Sequence, residues 1–272
     1  MGKGIFVVAE GVSGCGKTTF IKNMASSLRA ASIKVALNEE PSTHSSFGRA
    51  IRETIEGRKL NTELLIRLAS KTAELFREIR ESTEGSSPVG ERVVDDFCGT
   101  VKLAVKALRE GKTPAPRELQ ALYVADRYFD LRDYILPRLQ EGCLVINDRF
   151  HLSTFAYGGA YGVDREEIYS WHVYVLGDQW HLPDAVIYDK VSAETAAKRL
   201  FGSGKKIDIW EKKEKLQSLI DWYERSIAFL QRKCVFEGIP DVFFTVDGEK
   251  SEEEVTSQVM NIVDKVGVVI SP

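Results

Sequence analysis

The chain has 272 residues, of which 43% are apolar and 28% charged, and its formal net charge is −3. This composition suits a globular α/β protein with a substantial core. The charge balance excludes a general attraction to nucleic acid or to an anionic membrane, and the longest apolar runs are far too short to span a bilayer. We therefore expect no nucleic-acid or membrane partner, and any anion site must be local.

The N-terminus and the cysteines suggest the cellular compartment. The chain enters a strand-like run at once, with no cleavable signal pattern. Cys15, Cys98, Cys143 and Cys234 lie far apart and show no metal-ligand spacing. Scattered cysteines of this kind are typical of reduced thiols. We therefore expect a cytoplasmic protein.

The first strand-like run, "GIFVVAE", leads into a glycine-rich loop and then into a helical pattern. The loop fits GxxxxGK[ST], in which glycines let successive backbone N–H groups face an anion and the helix N-terminus adds a positive dipole. Lys17 can reach the β- and γ-phosphates of a nucleotide, and Thr18 can hold Mg²⁺. The sequence thus predicts an ATP site formed by Gly11, Ser13, Gly14, Cys15, Gly16, Lys17, Thr18 and Thr19.

Four further runs are typical of buried strands: "IKVALNEE", "CLVIND", "DAVIYDKV" and "DVFFTVD". Helical periodicity separates them, at Glu118 to Leu139, at Glu211 to Cys234, and after Ser251, which forms a capping box with Glu254. Short strands that alternate with helices predict a parallel sheet covered on both faces. We therefore predict the three-layer α/β sandwich of P-loop NTPases, with a five-stranded parallel sheet.

Residues 62–111 carry no strand signal. Two apolar stripes, one around Leu68 and one around Val101, indicate amphipathic helices joined by the polar stretch "ESTEGSSPVGE". We predict a single domain over 1–272 with a helical hairpin inserted at 62–111. The hairpin either packs on the α/β body or serves as a subunit contact or a cover over the active site.

The strand "CLVIND" ends in Asp148, and Arg149 follows it. Strand ends in an open parallel sheet face the ligand crevice, where an aspartate suits Mg²⁺ and an arginine can fork onto two phosphate oxygens. A surface ion pair is the alternative. Tyr123 and Arg127 lie one helical turn apart and face the same way, so they could stack on a base and hydrogen-bond its edge. A core tyrosine beside a surface arginine is the commoner arrangement.

Together these stretches resemble the thymidylate kinase family of nucleoside monophosphate kinases. The resemblance covers nearly the whole chain except the hairpin, and its most specific part is "LYVADRYFDLRDYILPRLQEGCLVINDRFHLSTFAYGGA". It also rests on "FVVAEGVSGCGKTT", "EEPST", "FGRAIRETI", "LPDAVIYDKVSAETAAKRL" and "DIWEKKEKLQSLIDWYERS". It implies that Mg²⁺-dependent transfer of the γ-phosphoryl of ATP gives a deoxynucleoside diphosphate, with dTMP the foremost acceptor, and that the protein is a homodimer.

The resemblance implies roles for individual acceptor-side residues. Arg149 would bind the acceptor phosphate, and Arg127 would contact the base edge. Tyr123 would occupy the base-stacking position, and Tyr157 would lie beside the deoxyribose, where a ribose 2′-hydroxyl is disfavoured.

Further roles follow from the same resemblance. Glu40 and Arg52 match positions near the acceptor, and Asp247 would flank adenine. The segment 199–211 resembles a mobile lid that closes over the phosphates. Because two anions must meet and the attacking phosphate is already ionised, catalysis needs cations rather than a general base. The catalytic residues would be Lys17 of the glycine-rich loop and Arg149 beside the acceptor phosphate, together with Arg199, Lys205 and Lys206 of the lid.

Several positions depart from the family pattern. Ser13 stands where an acidic residue is usual, Glu39 where an arginine is expected, and Gly158 where a glutamine contacts the base. The lid also carries lysines where a catalytic arginine is common. These departures leave the base open between thymine, another pyrimidine and other deoxynucleotides.

Two other functions remain open at this stage. A deoxynucleoside kinase would need a carboxylate to deprotonate a 5′-hydroxyl, and Glu39 or Glu40 would suit that task. A non-enzymatic nucleotide-binding module would need only the glycine-rich loop.

Overall fold

A computed structural model of the protein describes residues 4–85, 87–177, 179, 183–202 and 215–267. Contacts divide the chain into two compact units. Residues 1–40, 134–157 and 182–272 form the first, here called the sheet unit, and residues 41–133 and 158–181 form the second, the helical unit. Among the helices within these described ranges, none combines the length and apolar character that a membrane span requires.

The sheet unit is built on five parallel strands in the order β2-β3-β1-β4-β5, which confirms the predicted sheet. Because the register pairs Ala9 with both Asp148 and Ile187, the carboxyl ends of the three central strands lie level with one another. The strands are β1 Ile5–Glu10, β2 Val35–Glu39, β3 Leu144–Asp148, β4 Ala185–Lys190 and β5 Phe243–Asp247.

Helices cover both faces of this sheet, as predicted for a three-layer sandwich. On one face Val7 packs in a core with Phe20 and Val259 from two flanking helices. On the other face Phe6 meets Phe150 edge-on. The helices that belong wholly or partly to the sheet unit are α1 Lys17–Ala30, α6 Leu136–Gln140, α7 His151–Ala160, α9 Ala193–Gly202, α10 Leu216–Glu237 and α11 Glu252–Lys265.

The helical unit contains helices in the segment where the hairpin is predicted. Asn61 caps α3 by accepting a hydrogen bond from Leu64 N, and Ser87 caps α4 in the same way through Gly90 N. Side-chain caps of this kind satisfy N–H groups that have no partner within the helix. The helices of the unit are α2 Ser46–Ile55, α3 Thr62–Thr83, α4 Pro88–Arg109, α5 Pro116–Asp130 and α8 Arg165–Trp171.

Ion pairs join α3 and α4 to the rest of the helical unit. Arg117 of α5 donates to Asp96 of α4 at 2.7 Å and to Glu167 of α8. Arg132 donates to Glu78 of α3 at 2.7 Å. α3 and α4 therefore pack against α5 and the turn that follows it.

The helix predicted over Glu118 to Leu139 is interrupted. The structure has α5, then a π-helical turn at Leu131–Ile135, then α6. Pro137 has no N–H, and its ring would clash with the carbonyl four residues earlier in a regular α-helix. A π-helical turn just before the proline relieves that clash. The sequence pattern shows the proline but not the way the chain accommodates it.

Candidate active site

The glycine-rich loop joins β1 to α1 in a shape that only glycine tolerates. Gly14 has φ 82°, and a Cβ atom there would lie 2.4 Å from the carbonyl oxygen of Ala196. Gly16, with φ 135°, is the N-cap of α1 and provides no side-chain acceptor. No N-cap side chain therefore occupies the N-terminus of α1, where the helix dipole favours an anion.

Lys17 supplies the positive charge inside the loop. Its side chain is buried, and Nζ donates to the carbonyl oxygens of Gly11 at 2.8 Å and Val12 at 3.0 Å. The Sγ atom of Cys15 lies 3.5 Å away. Burial raises the pKa of the Cys15 thiol to about 11, so this group is neutral at neutral pH. Thr18 is exposed on the first turn of α1, and Thr19 is half-buried.

Arg149 lies directly against the loop. Its Nη1 donates to Gly11 O at 3.0 Å, and its Nη2 donates to Ser13 Oγ at 3.2 Å. The backbone of Arg149 is left-handed, with φ 72°, a conformation that costs a residue other than glycine roughly 1–2 kcal/mol. Asn147 supports this turn by donating to Arg149 O at 2.7 Å. Such local strain is common where a side chain is held for function.

A buried carboxylate that the sequence analysis missed organises the same turn. Glu10 is fully buried at the end of β1, and it accepts hydrogen bonds from Phe150 N at 2.8 Å and from Ser153 N at 3.1 Å. Its other oxygen accepts from Ser153 Oγ. Burial raises the pKa of Glu10, and the hydrogen bond from Ser153 and the charge of Arg149 oppose that rise. An acidic residue that ends a buried strand is the signal that could have revealed it.

Tyr223 of α10 is the second missed residue. Its hydroxyl group lies 2.9 Å from Arg149 Nη1, 2.8 Å from Ser153 Oγ and 3.2 Å from Gly11 O. The side chain is fully buried, and burial raises its pKa well above the ordinary value, so the hydroxyl stays neutral. Tyr157 stands beside this group, with its ring 6.3 Å from the Tyr223 ring and 5.6 Å from the Arg149 guanidinium.

Two carboxylates, those of Asp148 and Asp189, lie near the loop. Within the described residues no N–H or O–H group donates to the buried Oδ1 of Asp148 or to either oxygen of Asp189, and the thiol of Cys15 lies within hydrogen-bonding reach of Asp189. Asp189 is 1% exposed, and burial raises its pKa while the charge of Lys17 lowers it. A Cβ atom on Gly16 would lie 3.2 Å from Asp189 Oδ2, so this carboxylate sits directly beside the loop. Hard oxygen donors of this kind suit Mg²⁺.

The protein part alone does not form a complete metal cage. Within the ranges that the structure describes, no group of three or more histidine, cysteine or acidic side chains could hold a metal ion. Mg²⁺ characteristically takes only one or two protein ligands and completes its shell with waters and phosphate oxygens. The residues present therefore fit Mg²⁺ bound together with a nucleotide.

The structure also brings α9 to the loop. Arg199 is exposed, and its Nη1 donates to the carbonyl oxygen of Cys15. Lys205 and Lys206, with most of the predicted lid 199–211, lie outside the described residues. Asp247, at the end of β5, is exposed and accepts a hydrogen bond from Glu249 N at 3.1 Å within the following turn.

The two residues predicted to contact the base, Tyr123 and Arg127, belong to the helical unit. Arg127 is fully buried, and its Nη1 lies 2.7 Å from Nε2 of His172. Tyr123 is half-buried one turn earlier on α5. Because Arg127 has no solvent-exposed surface, contact with a base requires that a group now covering the guanidinium moves aside.

Asp126 anchors the turn at residues 42–45, just before α2. Its carboxylate accepts from Ser42 N at 2.8 Å, from Ser42 Oγ at 2.7 Å and from Ser45 Oγ. Arg52 donates to the carbonyl oxygen of Pro41. In the sheet unit, Glu40 is buried and its N–H donates to Asp148 O at 2.9 Å.

The structure explains one departure from the family pattern. A Cβ atom on Gly158 would lie 2.5 Å from Cδ1 of Ile168 and 3.3 Å from Cγ of Gln120. A long side chain at this position would have to displace both neighbours. Ser13 has a different role, since it accepts a hydrogen bond from Arg149.

Comparison with known proteins identifies the family to which the chain is similar. The family model "Thymidylate kinase" matches residues 9–95 and 95–259. The chain is 25% identical to a probable thymidylate kinase of Archaeoglobus fulgidus over 96% of this chain and 95% of the relative. It is 25% identical to a thymidylate kinase of Bacillus velezensis over 96% of each chain. It is 28% identical to one of Chlamydia caviae over 65% of this chain and 77% of the relative.

Proposed function

Because the chain belongs to the thymidylate kinase family and is thus a nucleoside monophosphate kinase, we propose that it transfers the γ-phosphoryl of ATP to dTMP, giving dTDP and ADP. One observation carries the proposal. Arg149, the cation proposed for the acceptor phosphate, donates to Gly11 O of the loop proposed for the donor. Donor and acceptor phosphates bound by these two elements would meet within reach of each other.

The reaction forms one bond and breaks one. An oxygen of the dTMP phosphate attacks the γ-phosphorus of ATP, a new P–O bond forms, and the bridging bond to the β-phosphate breaks to release ADP. The attacking oxygen is already ionised, so no residue has to remove a proton. The barrier lies in the approach of two anions and in the charge spread over the transferred group.

The chain's own cations meet this requirement. Lys17 binds the β- and γ-phosphates, Arg149 binds the acceptor phosphate, and Arg199 reaches the loop from α9. Thr18 and Asp148 would hold Mg²⁺, which neutralises charge on the donor phosphates when bound. Tyr223 and Glu10 do not touch substrate but keep the Arg149 guanidinium in place.

The remaining substrate roles are part of the same proposal. Arg127 contacts the base edge and Tyr123 stacks on the base, whereas Tyr157 lies beside the deoxyribose. Glu40 and Arg52 act near the acceptor. Thymine is the proposed base, with another pyrimidine or deoxynucleotide the outcome if the substitutions at Ser13, Glu39 and Gly158 have changed the specificity.

The donor side, the lid and the assembly complete the proposal. Gly11, Ser13, Gly14, Cys15, Gly16 and Thr19 surround the phosphates of ATP, and Asp247 flanks adenine. The segment 199–211 closes over the phosphates, with Lys205 and Lys206 adding to Arg199. The protein acts as a cytoplasmic homodimer, and 62–111 is an insertion in a single kinase domain.

The two rival functions have less support. A nucleoside kinase would use Glu39 or Glu40 as a base, but family membership favours a phosphate acceptor and the side chain of Glu40 is buried. A binding module without catalysis would need no cation at the position of Arg149.

An acceptor panel tests the proposal. The protein is incubated with ATP and Mg²⁺ and with thymidine, dTMP, dUMP, dCMP, dAMP or dGMP, and ADP is measured. ADP release that depends on a monophosphate, with dTMP giving the highest kcat/KM, supports it. ADP release with thymidine alone would indicate a nucleoside kinase, and ATP binding with no acceptor-stimulated ADP would indicate a binding module.

A further inference from the structure

Two fully buried side chains, Arg127 and His172, form a hydrogen-bonded pair in the helical unit. Arg127 Nη1 and His172 Nε2 lie 2.7 Å apart, and His172 Nδ1 lies 2.7 Å from the carbonyl oxygen of Ile168. No motif in the sequence singles out His172, and the site described above gives it no task.

These two contacts fix the protonation of the imidazole. A carbonyl oxygen only accepts hydrogen bonds, so Nδ1 of His172 must bear the proton that it donates to Ile168 O. A guanidinium only donates, so Nε2 must offer its lone pair to Arg127. His172 is therefore neutral in its Nδ1–H tautomer, and a second proton would place a charge against the guanidinium.

The imidazole is attached to a closely packed part of the helical unit. His172 begins a π-helical turn, His172–Leu176, directly after α8. Its neighbour Trp171 is 1% exposed and packs edge-on against Phe97, with the Arg117 guanidinium 5.3 Å from the indole. The Nε2 atom thus occupies a fixed point, and π-helical turns are frequent at functional sites.

We propose that His172 is a positioning residue that sets the orientation of the Arg127 guanidinium and thereby the affinity for the acceptor base. The inference rests on the base-edge role proposed for Arg127. Because the guanidinium is a rigid plane, one nitrogen held by His172 determines where the remaining N–H groups point. Those groups can meet a carbonyl oxygen of a base but not an amino group. At ring position 4, thymine and uracil have a carbonyl oxygen and cytosine has an amino group, so a guanidinium fixed against that position favours thymine or uracil over cytosine.

Two substitutions separate positioning from packing. His172→Leu fills the space but offers no acceptor to Arg127. His172→Gln can accept from Arg127 through Oε1 and donate to Ile168 O through Nε2. Arg127→Met tests the underlying role of the arginine, and His44→Leu is a histidine control, since His44 Nε2 lies 2.6 Å from Asp130 Oδ1. For each protein, KM for dTMP, KM for ATP, kcat and Tm are measured, with dCMP as the competing acceptor.

We expect His172→Leu to raise KM for dTMP about tenfold, the effect of about one hydrogen bond to a charged group, with KM for ATP unchanged. The preference for dTMP over dCMP should fall with it, whereas His172→Gln and His44→Leu should stay within about threefold of wild type. If His172→Leu leaves KM for dTMP unchanged while Arg127→Met raises it, the inference about His172 is wrong and the proposed function stands. If Arg127→Met also leaves it unchanged, the role of Arg127 is wrong and the inference falls with it.

A measurement on the wild-type protein covers the case in which His172→Leu does not fold. Nitrogen NMR on histidine-labelled protein, with His172→Gln used to assign the resonance, reports which imidazole nitrogen bears the proton. A protonated Nδ1 and an unprotonated Nε2, with and without dTMP, support the proposal. An Nε2–H tautomer or an imidazolium at pH 7 would overturn it.

Discussion

Replacing Arg149 with methionine removes the cation from the loop and leaves the backbone strain unchanged. Arginine and methionine have the same conformational energy cost at φ 72°, since neither is glycine. Gly11 O does not become an orphaned acceptor, because Lys17 Nζ still donates at 2.8 Å and Tyr223 Oη lies 3.2 Å away. The guanidinium also gives up its hydrogen bonds to Ser13 Oγ and Tyr223 Oη, so the fold should lose a few kcal/mol rather than unfold.

The catalytic effect of the same substitution should be far larger. Arg149 is the proposed anchor of the acceptor phosphate, and a comparable arginine in phosphoryl transfer is worth about 10³-fold or more in rate. We expect kcat/KM for dTMP to fall by about that factor in Arg149→Met, with ATP affinity little changed. Arg149→Lys should fall between the two proteins, because lysine keeps the charge but cannot fork onto two oxygens.

Steady-state kinetics with varied dTMP and calorimetric ATP binding give the two values, and urea unfolding gives the stability. Arg29→Met is the control, since Arg29 is exposed and donates to Val35 O away from the loop. A kcat/KM for dTMP within twofold of wild type in a folded Arg149→Met protein would refute the reasoning.

Three further predictions concern single side chains. Tyr223→Phe should lower kcat/KM for dTMP by about tenfold with ATP binding unchanged, because the hydroxyl contacts of the Arg149 guanidinium are lost; unchanged kinetics would contradict this. Gly158→Gln should destabilise the fold by about 1–3 kcal/mol in urea unfolding, because the new side chain overpacks against Ile168. Ile168→Ala introduced into the Gly158→Gln protein should recover part of that loss. Full stability of the Gly158→Gln protein would count against the explanation. Asp189→Asn should be more stable than wild type at pH 7. Burial raises the pKa of Asp189, so the stability of the wild type falls as the pH rises from about 4 through the raised pKa. The difference in unfolding free energy between Asp189→Asn and wild type should therefore shrink as the pH is lowered toward about 4. A difference that does not depend on pH would show that Asp189 does not titrate as inferred.

Sequence patterns within short segments were sufficient to predict the glycine-rich loop and the parallel sheet. The spacing of glycines with Lys17 predicts the phosphate loop, and five short runs of β-branched and apolar residues predict the five parallel strands. The argument that strand ends face a ligand also led to Asp148 and Arg149. The same argument applied to β1 and β4 would have found Glu10 and Asp189, whose charges stand at the ends of equally buried strands.

Other features depend on tertiary contacts that a single sequence does not contain. Tyr223 lies in the apolar stripe of α10, and nothing in the periodicity separates a packed ring from one whose hydroxyl contacts Arg149. The pairing of His172 with Arg127 joins positions 45 residues apart. Spacing predicts that Tyr123 and Arg127 share a helix face, but it does not predict that Arg127 is fully buried.

Binding of a bisubstrate compound tests the central claim most directly. Adenosine and thymidine joined through their 5′-oxygens by five phosphates carry both phosphate groups of the proposed reaction in one molecule. The account predicts that one molecule binds per chain, more tightly than ATP or dTMP, and that Arg149→Met weakens this binding far more than it weakens ATP binding. Affinity no greater than that of ATP, and equal in wild type and Arg149→Met, would contradict the account.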